Sequence, residues 1–582
     1  MDGSRTIERK AIAQQTSESA PVKDHTLSWV LIVFCLFILF ANLGGAALFE
    51  PDEGRNAEKA REILVLGDWV TPHENFVPVL DKPMFFYWLI AFSYKLFGVS
   101  EWSARFPSAL AALGCLCLVY RFSRAYWGAW DALWSTLILL TSIEFYLLAR
   151  IVILDMTLAF FITLALCSFY AALHTERDRA RSLHCLLMYL ALGGATLVKG
   201  LIGVVAPGTV MIVYLLVTRR WSALGKLYLF PGALLFLAIV APWYLWAEAR
   251  NPGYLEYYFW DEHFNRFMTG GFKREKNWSY LFFAFLIGFM PWTALAPLVV
   301  KDLWRKLDDR NLFLVIWALV PFAFFLASRS KLPHYLLPIF PAIALLTAQT
   351  VAATFQRAES KRWSLFLVWL AVAGFVVYLA LGGVWPDLLP PRIRSAVAQN
   401  SMLIWISAAL LIFIHAAFAF SSRVARWPEP RRVFICVGLT MSVSLFVAAQ
   451  LQVAMSLNRS AKALAQATAS FVNPGSQVVL YDTHAAGLLF YLRLERPAWV
   501  VIRKGQTKVM ESPYVSKNLA NLTSGYGKIF FSSEEFEAAW RQNSPSLRVF
   551  VETKHLNWFK ERFGVKTKEL ARLGTYALVS RD

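Results

Sequence analysis

The feature that most constrains this chain is a series of apolar runs, each long enough to cross about 30 Å of hydrocarbon as a helix. They fall near 27–48, 103–122, 130–148, 152–173, 183–198, 202–217, 228–247, 279–299, 311–328, 334–354, 363–385, 402–421 and 432–452. The expected fold is therefore a polytopic α-helical membrane protein with about 13 spans. Composition agrees. Of 582 residues, 57% are hydrophobic and 17% charged. Soluble domains carry about 25% charged residues, so this chain lacks the side chains to coat a water-facing surface. Its 23 Trp and 46 Phe exclude a disordered chain.

A formal charge of +19 would suit a nucleic-acid binder. The cations, however, sit mostly in short loops between apolar runs. Loops on the N-terminal side hold about 23 Lys and Arg, against about six in the short loops opposite. That asymmetry places the N-terminus in the cytoplasm and residues 49–102, 248–278 and everything after about 453 on the outer side. The run from Leu27 is too long for a signal-peptide core and lacks a small-residue cleavage site, so it reads as an uncleaved first span. All six cysteines lie in or beside apolar runs, with no CxxC or disulfide spacing, and are expected to be inert buried thiols.

Three regions follow: a cytoplasmic tail 1–26, a membrane domain 27–452 that includes the outer loop 49–102, and an outer domain 453–582. In the last, SQVVLYD, AWVVI, KIFFSS, LRVFVET and TYALVS read as strands, with SEEFEAAWRQ and HLNWFKERF as helices between them. This predicts a small α/β domain, to which no chemistry is assigned. In the outer loop, GRNAEKAREILVLGDW predicts an amphipathic helix at the interface. Pro83–Ser100 predicts a second apolar element on the bilayer or the bundle.

The informative residues break the membrane rules. FEPDEGR places Glu50, Asp52, Glu53 and Arg55 just after the first span. Asp52 can simply cap the following helix, or it can face a polar cavity. Asp155 interrupts an apolar run, where a charge costs about 2.5–3.5 kcal/mol on insertion scales and needs a partner. Arg150, about one and a half turns away, is the nearest candidate partner, and a structural ion pair is the plain alternative to a functional role. Lys82, Arg150, Lys199, Arg266, Arg329 and Lys331 are cations on the wrong side. Each can be a solvated loop charge. Together they can surround a phosphate at the outer interface, near DEHFNRF and SKLPHYLLP, with their His263, His334 and Tyr335. Carboxylates with cations at an outer face suit transfer from a lipid-phosphate donor. Asp52 would accept a proton from the acceptor or orient it, while Lys and Arg stabilise the departing phosphate. Such a donor is already activated and requires no nucleotide cofactor.

The stretch FEPDEGRNAEKAREILVLGDWVTPHENFVPVLDKPMFFYWLIAFSYKLFGVSEWSARFPSAL, with TLVKGLIGVVAP and SRSKLPHYLLPIFPAIALL, resembles the bacterial aminoarabinose lipid A transferases. These GT-C glycosyltransferases are related to protein O-mannosyltransferases. The resemblance implies a GT-C bundle in the bacterial inner membrane with its active site facing the periplasm. It implies undecaprenyl phosphate carrying 4-amino-4-deoxy-L-arabinose as donor, lipid A phosphate as acceptor, and resistance to cationic peptides such as polymyxin. By the same resemblance, Asp52 and Asp155 match acidic catalytic positions. Lys82, Lys199 and Tyr335 match positions at the lipid phosphate, with Arg55 and Arg266 as nearby cations. Asp81 and His263 match a pair that can hold zinc in related transferases, with Asp81 standing where Glu is expected. Membrane lipids are the expected surroundings, and nucleic acid is not an expected partner. Two alternatives stay open: a related transferase moving another sugar to lipid or protein, and a lipid transporter. A transporter would be expected to show repeated halves, and none is visible.

Overall fold

The computed structural model describes residues 25–265, 276–305, 307–356, 391–424, 429–457, 459–473, 475–502, 509–510, 512–525, 528–542, 546–564, 567–573 and 576–581. Among them, eight helices are long and apolar enough to cross a membrane, and up to ten if each of two bent pairs is one span. Shorter apolar helices at Thr26–Phe40 and Ile202–Val217 add to these. Each expected run coincides with one of these helices except 363–385, which lies outside the described residues.

Two runs that read as single helices are broken. Ala129–Thr141 and Ile143–Ala149 meet at 69°, and Trp278–Gly288 meets Trp292–Arg305 at 101°. Pro291 removes a backbone donor at the second break. At the first, the Ser142 hydroxyl donates to the Ile138 carbonyl at 2.7 Å, competing with the helical ladder.

The first helix, His25–Phe40, stops short of the expected Leu48, and its orphan carbonyls find an arginine. Arg150 donates to Ile38, Leu39 and Ala41 oxygens at 2.8–3.0 Å. It is therefore a helix-end clamp and not the partner of Asp155. Arg105, buried on helix Glu101–Tyr126, takes the next carbonyls at Leu43, Ala46 and Ala47. Its fork also grips Glu53, with Nε and Nη2 each 2.8 Å from a carboxylate oxygen. Glu53 completes its shell with the backbone amides of Phe49 and Val152. This buried pair anchors the start of the outer loop with its hydrogen-bonding capacity used.

The loop helix, Asp52–Leu66, buries its apolar face (Ala57, Ala60, Ile63) as its spacing predicts. Its polar face is covered too, so it does not lie at a lipid–water interface. The C-terminal domain sits on it. Arg61 pairs with Glu58 and donates to the Leu494 carbonyl at 2.7 Å. A Cβ on Gly54 would stand 2.6 Å from the Gly487 nitrogen, so this approach requires glycine.

A short hairpin follows the loop helix, β1 (His73–Glu74) with β2 (Val77–Pro78). In the C-terminal domain, β3 (Ser476–Tyr481), β4 (Trp499–Ile502), β5 (Phe530–Ser532), β6 (Ser546–Glu552), β7 (Thr567–Leu573) and β8 (Tyr576–Arg581) form one sheet ordered β5-β4-β3-β6-β8-β7. The first four strands are parallel and the last two antiparallel. Val479 and Tyr481 pack on Phe536, Trp540 and Phe559, while Val478 and Leu480 pack on Leu464 and Leu488. Burial on both faces explains why these strands read as continuous apolar runs. Edge strand β7, TKELARL, has no such signature, and the sequence reading missed it. Five cysteines are buried as expected. Cys117 is exposed, and none of the six is paired.

Candidate active site

The out-of-place charges converge at one end of the bundle, under the loop helix and the C-terminal domain. Asp155 opens helix Leu154–His174, and Lys199 closes helix Asp178–Lys199. The antiparallel pairing of these helices brings Lys199 Nζ to 2.5 Å from Asp155 Oδ1. His334 Nε2 lies 3.8 Å from Asp155 Oδ2, and Lys199 Nζ sits 4.7 Å from the Tyr335 ring centre. Both aromatic residues come from the turn Pro333–Ile339, which the helix-breaking Pro333 initiates. Asp155 is thus an ion-paired, nearly buried carboxylate whose partner is Lys199.

The neighbouring residues Asp81 and Lys82 extend the cluster. Lys82 Nζ contacts the buried Glu262 carboxylate, and its charge also acts on Asp155. Asp81 accepts from the Tyr257 hydroxyl at 3.0 Å and the Tyr514 amide at 3.2 Å on Oδ1, while Arg55 Nη2 lies 3.5 Å from Oδ2. Arg55 Nε also reaches Glu74 Oε2 at 3.3 Å, and Lys59 Nζ approaches the same oxygen at 3.5 Å. His484 of the C-terminal domain contacts the other Glu74 oxygen. Burial alone would push the Glu74 carboxyl up. Arg55, His484 and Lys59 beside it prevail and hold it well below the usual carboxylate range. Burial pushes the Lys59 ammonium down from its ordinary value, with Glu74 opposing.

Asp52 stands apart. It is exposed at the first position of the loop helix, where Pro51 occupies the cap and no side-chain capping bond is made. The capping role is therefore not realised. Its charge acts on the Tyr87 hydroxyl together with those of Arg55, Asp81 and Glu74, which places it beside the cluster. Among the described residues it has no hydrogen bond or ion pair, so its oxygens are open to an incoming group.

The structure thus brings together Arg55, Asp81, Lys82, Asp155, Lys199 and Tyr335, with Asp52 at the rim. Arg266 and the side chain of His263 lie outside the described residues. Of the other cations on the wrong side, Lys331 is buried and donates to the Ser328 carbonyl, and Arg329 is exposed. Sequence reasoning missed Lys59, Glu74, Tyr257, Glu262, His484 and Tyr514, and gave His334 no role. Glu262 lies in the noted DEHFNRF motif, but the pairing of Glu74 with His484 spans 410 positions and leaves no local signal. Zinc fits poorly at Asp81, since both of its oxygens already face donors. No group of three or more metal-ligating side chains occurs among the described residues.

Comparisons with known proteins bear on this arrangement. Residues 81–246 match the dolichyl-phosphate-mannose-protein mannosyltransferase family. The solved structure of ArnT from Cupriavidus metallidurans bound to undecaprenyl phosphate superimposes with a TM-score of 0.82 at 26% identity, over 95% of this chain and 98% of that one. The undecaprenyl phosphate-α-4-amino-4-deoxy-L-arabinose arabinosyl transferase of Erwinia tasmaniensis is 30% identical over 64% of this chain and 69% of its own length. The chain belongs to this family. The namesake from Edwardsiella ictaluri is 32% identical over 54% of this chain and 57% of its own length. The chain therefore spans somewhat more than half the length of that relative. Membership with the apolar helices makes this an integral membrane protein of the GT-C type.

Proposed function

We propose that the chain moves 4-amino-4-deoxy-L-arabinose from undecaprenyl phosphate to a phosphate group of lipid A. The observation that carries this reading is the cluster of Lys199, which lies over the Tyr335 ring, with Lys82 and Arg55, beside the open carboxylate of Asp52. That set lies on the scaffold shared with a transferase solved with undecaprenyl phosphate. In the reaction, an oxygen of the acceptor phosphate bonds to the anomeric carbon. The bond from that carbon to the donor phosphate oxygen breaks, and its electron pair leaves with undecaprenyl phosphate. Lys82 and Lys199 neutralise the charge that grows on the leaving phosphate. Asp52 accepts the acceptor's proton when it carries one, or orients the attacking oxygen. The site is proposed to face the periplasm from the inner membrane, a reading that the Lys and Arg asymmetry of the loops supports. An amine added to an anionic surface lowers its attraction for cationic peptides. No step passes through zinc.

The test is to incubate purified protein in detergent with the aminoarabinose-bearing lipid and lipid A. Mass spectrometry should find pentosamine on lipid A and free undecaprenyl phosphate in equal amount. Transfer of a hexose but no pentosamine, from the corresponding lipid donors, would replace this donor with another.

A further inference from the structure

The two broken spans face each other across a single carboxylate. The Ile143 amide donates to the Met290 carbonyl at 3.2 Å, and the Trp292 indole N–H donates to the Thr141 hydroxyl at 2.9 Å, so the breaks are joined directly. Interrupted helices are tolerated in membranes where the freed backbone faces protein or a cavity, and ligand sites are commonly built there. Between the breaks lies Glu144, on the short helix Ile143–Ala149, and it is buried. Its Oε1 is sealed from solvent and has no hydrogen-bond partner among the described residues. A Cβ on Gly288 would stand 2.3 Å from its Oε2, so glycine at 288 keeps open a space that any other residue would fill.

Nothing described neutralises this group. The one charge acting on it is Asp155, of the same sign. The turn carrying His334 and Tyr335 packs against the same short helix, so Glu144 adjoins the Asp155–Lys199 cluster. A carboxyl placed so inside a membrane protein, without a partner, is costly and marks a ligand or ion path. Asp155 is not equivalent, because Lys199 holds its Oδ1 and His334 faces its Oδ2. Of these two buried carboxyls, the one left without a partner is therefore Glu144.

We infer that Glu144 binds the protonated amine of an amino-sugar donor and selects that donor over neutral counterparts. The inference rests on the transferase reading above and deepens it. The ammonium would approach Oε2 through the space left by Gly288, while the donor phosphate lies on Lys82 and Lys199. A charge-assisted hydrogen bond of this kind corresponds to about 10- to 100-fold in affinity.

The experiment compares three lipids on the full-length enzyme in detergent: undecaprenyl phosphate bearing aminoarabinose, the same lipid with its amine acetylated, and undecaprenyl phosphate alone. Wild type should prefer the free amine to the acetylated donor. Glu144→Gln should weaken the free-amine donor by about 10- to 100-fold and leave the other two unchanged, which abolishes the preference. Gly288→Ala, which keeps the charge but crowds Oε2, should produce the same selective loss and covers the case that Glu144→Gln folds poorly. An unchanged preference in both variants, or an equal loss for all three lipids, overturns the ammonium site while leaving the transferase reading intact. Wild type that binds the bare lipid but no amino-sugar donor overturns the donor assignment, and the ammonium site with it.

Discussion

Replacing Asp155 by Asn keeps the side-chain volume but removes the negative charge 2.5 Å from Lys199 Nζ. Breaking a fully buried pair costs about 3–5 kcal/mol, because the remaining charge is left without compensation. Here the Asp155 and Lys199 side chains are 5% and 16% exposed, so water reaches the ammonium in part. Lys199 also keeps its place against the Tyr335 ring, a contact worth about 0.5–1 kcal/mol. The expected cost to the lipid-free protein is therefore about 2 kcal/mol. If Lys199 receives the donor phosphate, undecaprenyl phosphate restores the missing negative charge and removes competition from the carboxylate. The mutant should then bind that lipid more tightly than wild type, by up to about 30-fold for the same 2 kcal/mol. Turnover should fall even so, since the donor is held without the carboxylate that orients it. Thermal unfolding with and without lipid, lipid affinity and turnover should be measured on one detergent preparation. Equal lipid-induced stabilisation of mutant and wild type would refute the placement of the phosphate on Lys199. Full turnover would remove Asp155 from the active site.

Asp52→Asn should leave thermal stability unchanged, because Asp52 makes no bond among the described residues, while turnover drops by about two to four decades. Near-normal turnover would reduce it to a loop charge. Lys82→Met should weaken binding of sugar-free undecaprenyl phosphate in a titration, and unaltered affinity would free Lys82 from the donor. Arg105→Met should destabilise the protein by about 3–5 kcal/mol, since Glu53 would stay buried without its counter-ion. A melting curve matching wild type would show that the Glu53–Arg105 pair does not anchor the loop. Glu74 has a folded-state pKa below its ordinary value, so its contribution is complete above the unfolded carboxylate pKa of about 4.3 and declines as pH falls below it. Glu74→Gln should therefore lower stability at pH 7 and flatten its decline below about pH 4. Parallel pH profiles for mutant and wild type would contradict the Arg55–His484–Lys59 account.

The helices were legible because hydrocarbon imposes one rule on every spanning segment, and 12 of the expected runs coincide with described helices. The strands β3, β4, β6 and β8 were legible for a related reason, since burial on both faces leaves an apolar run. Where a charge was out of place could also be read, as Asp155, Lys82 and Lys199 show. What each charge pairs with could not. Arg150 is five positions from Asp155 and bonds instead to the end of the first helix, whereas Lys199, 44 positions away, is the true partner. Lys82 and Glu262 are 180 positions apart, and Glu74 and His484 are 410 apart. Such pairs are made by helix packing and by docking of the C-terminal domain, so they carry no spacing rule. The C-terminal domain, to which sequence assigned no chemistry, reaches the site through His484 on Glu74 and the Tyr514 amide on Asp81. These two contacts tie the set of Arg55, Lys59 and Asp81 to the loops after β3 and β4. A shift of that domain would therefore pull directly on Glu74 and Asp81, and through them on Arg55 and Lys59.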